Sequence, residues 1–252
     1  SVARLPQVCL WPSLDNLLLI DAKQNLSVQV HPSDDYALKN EGEYGKTEAW
    51  YILDCDEGAE LILGFNREVS VEEFKKAAQS EEMLNIVNKV KVKKGDLFFI
   101  ESGTLHAICK GILLAEVQQN SNTTYRVYDY GRVGADGKPR ALHIDKAADV
   151  TKLCPPTITN ASEREVEKQD GGTRTHLTEC DLFKMYSVET DGEYVSEAGD
   201  ESFVSLLCLD GSAEVVCGKK TLGMKKGESL FIPASSGEFK IIGKTHMLET
   251  RI

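Results

Sequence analysis

Two strand-like stretches carry side chains that a half-buried strand has no packing reason to hold. In "NLSVQVH", residues 25–31, apolar and polar residues alternate, yet Gln29 and His31 share one face, because side chains two apart on a strand point the same way. In "TEAWYILD", residues 47–54, Glu48 interrupts an apolar run, and His106 follows a small-residue turn in "ESGTLHAIC", residues 101–109. Imidazole and carboxylate are the ligands that suit zinc, and a carboxamide oxygen from Gln29 can complete the shell. Hydrogen bonding alone also accounts for these residues, with His31 in a turn and Glu48 in a salt bridge, since buried polar groups can be satisfied locally. Cys109 lies three residues past His106; that odd spacing puts it on the opposite face of a strand, as a core thiol.

The elements that must position these residues are mostly short strands, such as "EAWYILD", "AELILGF" and "KVKVKKGDLFFI", punctuated by turn residues. The exception is "SVEEFKKAAQSEEMLNIVN", residues 70–88, where Ser70 and Glu73 form a capping box ahead of apolar residues at helical spacing. A shorter helix is expected over 145–152, and a helical turn in "HPSDDYAL". Residues 155–175, with two prolines and paired glycines, read as a linker or long surface loop. His176 reads as linker, and His143 and His246 read as structural.

An internal repeat joins the two halves. "VKKGDLFFIESGTLH", residues 92–106, aligns without gaps on "MKKGESLFIPASSGE", residues 224–238. Each copy reads as a Lys-Lys-Gly-acid turn, a strand and a second turn. The repeat predicts two related β-barrels, each presenting a side chain at one mouth: His106 in the first, Glu238 in the second. The expected organisation is a metal-binding domain over 1–154, the linker over 155–175 and a second β domain without metal ligands over 176–252.

Composition bounds what such a chain does. With 252 residues, 41% hydrophobic and 27% charged, a sizeable core is affordable. A formal net charge of −11 argues against nonspecific binding to nucleic acid or anionic membranes, though a local basic pocket is compatible with it. The longest apolar runs are far too short to span a bilayer. Seven scattered cysteines without a C-x-x-C pair read as reduced thiols of a cytoplasmic protein, which excludes zinc fingers.

The stretches "LSVQVHPSDDYA", "GKTEAWYILDCDEGAEL", "KKGDLFFIESGTLHAICKGILLAEVQQNSNTTYRVYDYGR" and "GKPRALHIDKAADV" resemble the type I mannose-6-phosphate isomerases in their short bacterial form. The likeness runs almost continuously over about 19–150 and continues weakly through the second repeat. It implies a mainly β fold of two cupin-type jelly-roll barrels with a few helices, the second barrel degenerate. It further implies one Zn2+ per chain, held by Gln29, His31, Glu48 and His106. Lys46, Glu116 and Arg126 match catalytic-site residues, Ser27 matches a pocket serine, and Arg132 falls where some relatives carry a phosphate-binding lysine. The implied partner is a small sugar phosphate, with the chain a monomer or homodimer.

The implied reaction interconverts mannose 6-phosphate and fructose 6-phosphate through an enediol, with Glu116, Lys46 or a zinc-bound water as the base. Outside the resemblance, Arg126 and Arg132 read as arginines packed on the tyrosines of their strand. Relatives carry several dozen further residues ahead of the matched region, and the first dozen residues here match none of them. That leaves a catalytically weak zinc-binding remnant or sugar-phosphate sensor as the alternative. An iron-dependent dioxygenase is a third reading, against which Gln29 and the arginines count.

Overall fold

Short runs of β-branched and aromatic residues, broken by glycine turns, build most of this chain into antiparallel strands. The computed structural model describes residues 2–4, 16–134, 136–157 and 164–252. The chain divides into two units, Ser1–Ile158 and Thr159–Ile252.

The first unit contains β1 (Val2–Arg4), β2 (Asn16–Ala22), β3 (Val28–Val30), β4 (Glu48–Cys55), β5 (Glu60–Phe65), β6 (Val87–Lys91), β7 (Leu97–Ile100), β8 (His106–Ile108), β9 (Ile112–Gln118) and β10 (Tyr125–Tyr128). They form two five-stranded sheets, ordered β1-β2-β9-β4-β7 and β10-β3-β8-β5-β6. From β7 to β10 each successive strand changes sheet, so inner faces of the two sheets share one core. Trp50, Ile52, Phe98, Ile112 and Leu114 from the first sheet pack with Leu61, Leu63 and Ile108 from the second. This is the jelly-roll sandwich expected from the sequence.

Four helices accompany the strands: α1 (Asp34–Asn40), α2 (Val71–Ala77), α3 (Met83–Ile86) and α4 (Ile144–Val150). The helix expected over 70–88 is thus two short helices followed by a strand. Its start is as expected, with the Ser70 hydroxyl accepting the Glu73 N–H, but the Glu73 carboxylate pairs with Arg67 instead of closing the capping box. The break has a local cause. Past α2 the bonds tighten to Gln79 N–H onto Lys76 and Ser80 N–H onto Ala77, and the Ser80 hydroxyl accepts the Glu82 N–H. Such side-chain bonding competes with helix continuation, and Val87 pairs with Phe65 in the sheet.

The outer face of the second sheet carries a further core. Val28, Val30, Ala107 and Val127 pack under Phe74, Met83, Ile86 and Ala147 of the helices. Phe74 is fully buried and meets Phe65 edge-on, with ring centroids 6.1 Å apart. Phe74→Ala is expected to cost about 3–5 kcal/mol of stability, read from urea unfolding; a cost below about 1 kcal/mol would mean that the helices do not hold β3 in place.

The second unit has β11 (Val166–Gln169), β12 (Gly172–Glu179), β13 (Lys184–Ala198), β14 (Val204–Cys217), β15 (Lys220–Lys225), β16 (Ser229–Ile232) and β17 (Gly237–Arg251). The sheet order is β11-β12-β13-β17-β14-β15, with β16 also on β14. The hairpin of β11 and β12 occupies residues expected to be linker. Asp170–Gly171 is its turn, with Gly171 at φ 79°, so the glycines join two strands where a loop was expected. His176 is accordingly a strand residue, its ring centroid 5.4 Å from that of Tyr186. Residues 158–163 of that stretch lie outside the described residues.

The internal repeat holds in detail. Lys93 N–H bonds to the Asp96 carboxylate at 2.9 Å, and Lys225 N–H bonds to that of Glu228 at 3.1 Å. The turns need glycine, with Gly95 and Gly227 at φ 87° and 84°. Ile52 N–H meets the Asp96 carbonyl, as Cys208 N–H meets that of Glu228. That register matches β4 with β14 and places Val204 where the first unit has Glu48, and the second repeat has an exposed Glu238 where the first has buried His106.

Candidate metal centre and active site

Gln29 and His106 face each other as cross-strand partners in β3 and β8. Arg126 of β10 is the partner of Gln29 on its other side. Side chains directly opposite share a face, so Arg126, Gln29 and His106 form one row across the inner surface of the sheet. Ser27 and His31 flank Gln29 at period two. From the facing sheet come Glu48, at the start of β4, and Glu116 of β9, the cross-strand partner of Trp50. His31, Glu48 and His106 are each at most 1% exposed, so water cannot satisfy them.

Their hydrogen bonds set which atoms converge. His31 Nδ1–H donates to the Thr123 carbonyl at 2.9 Å, and His106 Nδ1–H donates to that of Thr104 at 2.8 Å. Each imidazole therefore turns a bare Nε2 toward Glu48, 3.5 Å from Oε2 for His31 and 3.4 Å from Oε1 for His106. Two imidazole nitrogens and a carboxylate thus converge, with Lys46 Nζ 3.4 Å from His31 Nε2 and the Gln29 amide nitrogen 3.4 Å from His106 Nε2 beside them. Neither Glu48 oxygen accepts a hydrogen bond among the described residues.

A buried carboxylate facing two imidazole nitrogens is costly in a dry interior unless a cation offsets it; the Lys46 ammonium stands beside it, and the donor set itself suits a divalent cation. The candidate ligand atoms all lie within 4.8 Å of one another. Burial, reinforced by the Lys46 charge, lowers the pKa of both histidines against the pull of Glu48; they stay neutral, as metal ligands must be. Burial pushes the Glu48 carboxyl up, but the Lys46 ammonium leads the charges that outweigh it and hold the group at about 2.

Gln29 completes the row. Its Oε1 accepts from the Ser27 hydroxyl at 3.3 Å, and its Nε2 lies 3.4 Å from His106 Nε2. A half-turn of the amide exchanges the two atoms and brings the oxygen to the histidine side.

Lys46 lies beside the centre, buried with its Nζ 2.7 Å from Glu48 Oε2, an ion-pair contact without good hydrogen-bond direction. The same Nζ is 3.4 Å from Glu116 Oε1 and 3.4 Å from His31 Nε2. Burial works against its charge, but Glu48 and Glu116 prevail and raise its pKa. Glu116 accepts the Trp50 indole N–H at 2.9 Å. Burial and then repulsion from Glu48 push its carboxyl to about 7, against Lys46 and Trp50. Trp50 in turn meets the His106 ring edge-on at 5.3 Å.

Arg132 stands apart from this cluster, in the turn after β10. It donates to Asp129 and to the Asn25 carbonyl. The sequence reading missed Asp129 and Arg140, which pairs with Asp129, as well as Trp50; the one local signal was an aspartate between two arginines in "RVYDYGR". Cys109 packs against the helix-side core, opposite His106, as expected. His143 accepts the Arg126 N–H and caps α4, and His246 bonds with Ser187, both structural roles.

A family model described as the cupin domain of mannose-6-phosphate isomerase matches residues 173–251. The mannose-6-phosphate isomerase ManA of Bacillus subtilis is 41% identical over 226 residues, 89% of this chain and 70% of that protein. The mannose-6-phosphate isomerase of Streptococcus mutans is 37% identical over 91% of this chain and 71% of its own. A crystal structure of a mannose 6-phosphate isomerase from Bacillus subtilis superposes with a TM-score of 0.86 at 38% identity, covering 94% of this chain and 75% of that one. A variant of phosphomannose isomerase from Salmonella typhimurium shares the fold, with a TM-score of 0.70 at 18% identity over 94% and 78% of the two chains. With relatives this similar over most of both lengths, the chain belongs to the mannose-6-phosphate isomerase family.

Proposed function

We propose that this chain interconverts mannose 6-phosphate and fructose 6-phosphate in the cytoplasm, using one zinc ion held by His31, Glu48, His106 and Gln29. The observation that carries the reading is the convergence of two bare imidazole nitrogens on a buried carboxylate, in a member of this family. Tetrahedral nitrogen and oxygen donor sets suit zinc. When bound, the ion polarises the sugar carbonyl and offsets negative charge that develops on the substrate oxygens.

The protein's own groups do the remainder. Isomerisation moves a proton between C1 and C2 through an enediol, which calls for a group titrating near neutrality. The Glu116 carboxyl, at about 7, meets that demand as the proton-exchanging group, with the Lys46 ammonium, whose own pKa is raised, offsetting its charge. Arg126, in the row with Gln29, grips substrate oxygens, and Ser27 lines the same face. Arg132 takes the phosphate, a role for which guanidinium geometry is suited.

The test is conversion of mannose 6-phosphate by the purified chain, followed through a coupled assay for fructose 6-phosphate. Turnover that a chelator abolishes and zinc restores is expected. A folded, zinc-loaded chain that binds sugar phosphate without turning it over would overturn the catalytic reading.

A further inference from the structure

Past β10 the chain makes a tight excursion and returns. An isolated bridge between Val133 and Pro139 closes the excursion. Residues 141–143 then run beside Arg126: His143 N–H donates to the Arg126 carbonyl at 2.8 Å, and Arg126 donates a guanidinium N–H to the Ala141 carbonyl at 3.0 Å. This return brings Arg140 next to Asp129, eleven residues earlier.

Asp129 is 4% exposed and occupied on both oxygens. Its Oδ2 accepts Arg140 Nε–H at 2.6 Å, and its Oδ1 accepts an N–H from both Arg140 and Arg132 at 2.5 Å. The Asp129 backbone carbonyl takes two more bonds from Arg132, from Nε and from the main-chain N–H. One buried carboxylate thus fixes two guanidinia side by side, with their side chains still 28% and 38% exposed for Arg132 and Arg140. Beside them Arg126 has a buried Nε without an acceptor among the described residues.

Charge points the same way. Three arginines against one aspartate leave two positive charges in a chain whose net charge is −11. Asp129 offsets one of the two charges it binds, so the Arg132–Arg140 pair keeps one net positive charge, which favours an anionic ligand. Burial, then the charges of Arg140 and Arg132 with Asp129 opposing, lower the pKa of Arg126, so the three guanidinia share one field.

Position supplies the remaining argument. Arg132 bonds to Asn25, just ahead of β3, whereas the metal-type cluster gathers at Gln29 and His31. Asn25 and Gln29 are about 13 Å apart along an extended chain, with Ser27 on the inner face between them. That length is an upper bound on the separation of the two ends, and it is of the order that an extended hexose phosphate spans.

We propose that Arg140 and Arg132 form a two-guanidinium clamp for the substrate phosphate, and that Asp129 is the positioning residue that holds them in place. This rests on the isomerase reading of the site and adds to it a second cation and the group that orients both. Arg140→Gln removes one half of the clamp at a partly exposed position, and Asp129→Asn removes the positioning charge while leaving both arginines.

The experiment measures KM and kcat for mannose 6-phosphate, metal content, and binding of inorganic phosphate by calorimetry, on the zinc-loaded parent and both variants. Each variant is expected to raise KM and weaken phosphate binding by about 10–100-fold, the worth of one charge-assisted bond, with kcat reduced by less than about threefold. Phosphate affinity within about twofold of the parent in Arg140→Gln would overturn the clamp. Asp129→Asn that lowers kcat, metal content and melting temperature together, with phosphate affinity kept, would reduce Asp129 to a structural role. A parent without turnover would sink the isomerase reading, whereas the phosphate-binding comparison would still decide the clamp.

Discussion

Glu48→Gln is expected to lower kcat/KM by at least about 10³-fold, the equivalent of losing about 4 kcal/mol of transition-state stabilisation, and to leave the purified protein with well under one metal ion per chain. The substitution keeps the size and shape of the side chain, so the packing around Trp50 and His106 has little reason to change. What it removes is the carboxylate that, among the described residues, contacts both imidazole nitrogens. An amide carries no charge to offset a divalent cation and turns one NH2 group toward lone pairs that then have a hydrogen to accept. The centre becomes self-satisfied as a neutral hydrogen-bonded cluster, and its reason for holding a cation is gone. Metal analysis and the coupled assay check this together. A variant that keeps its metal and its turnover would place the ion elsewhere in the protein.

Much of this site was legible because its chemistry contradicts its surroundings. Gln29, His31 and Glu48 are polar groups in strands whose neighbours are apolar, and period two shows which of them share a face. His106 was visible through the turn that precedes it, a local motif that recurs at 224–238. The helical stretch 70–88 misled for a physical reason: its apolar spacing runs on through α2 and α3, and the interruption comes from one serine hydroxyl and from strand pairing by Val87. The hairpin of β11 and β12 was hidden because every residue of Val166–Gln169 is exposed, so no apolar alternation marks it. Asp129 was hidden differently. Its meaning depends on Arg140, and only the fold brings the two together.

Lys46 provides a sharper test of how the centre balances its charges. In the metal-free protein its ammonium is the cation between two buried carboxylates, Glu48 and Glu116. Lys46→Met removes that cation and leaves both acids in a dry interior, which is expected to cost about 3–5 kcal/mol of stability. With zinc the expectation differs, because a divalent ion on the proposed ligands His31, Glu48 and His106 would supply the charge that Glu48 has lost. The cost in the zinc-loaded variant is therefore expected to be smaller, and zinc should stabilise Lys46→Met more than it stabilises the parent. Urea unfolding of both proteins, with chelator and with zinc, measures the four stabilities that this comparison needs. Turnover tests the proposed part of the lysine in the chemistry: zinc restores stability to the variant but not the ammonium beside Glu116, so activity is expected to stay at least about 10²-fold below the parent even in excess zinc. Equal losses of stability with and without metal would show that Lys46 neutralises Glu116 alone, and a fully active zinc-loaded variant would remove it from the chemistry.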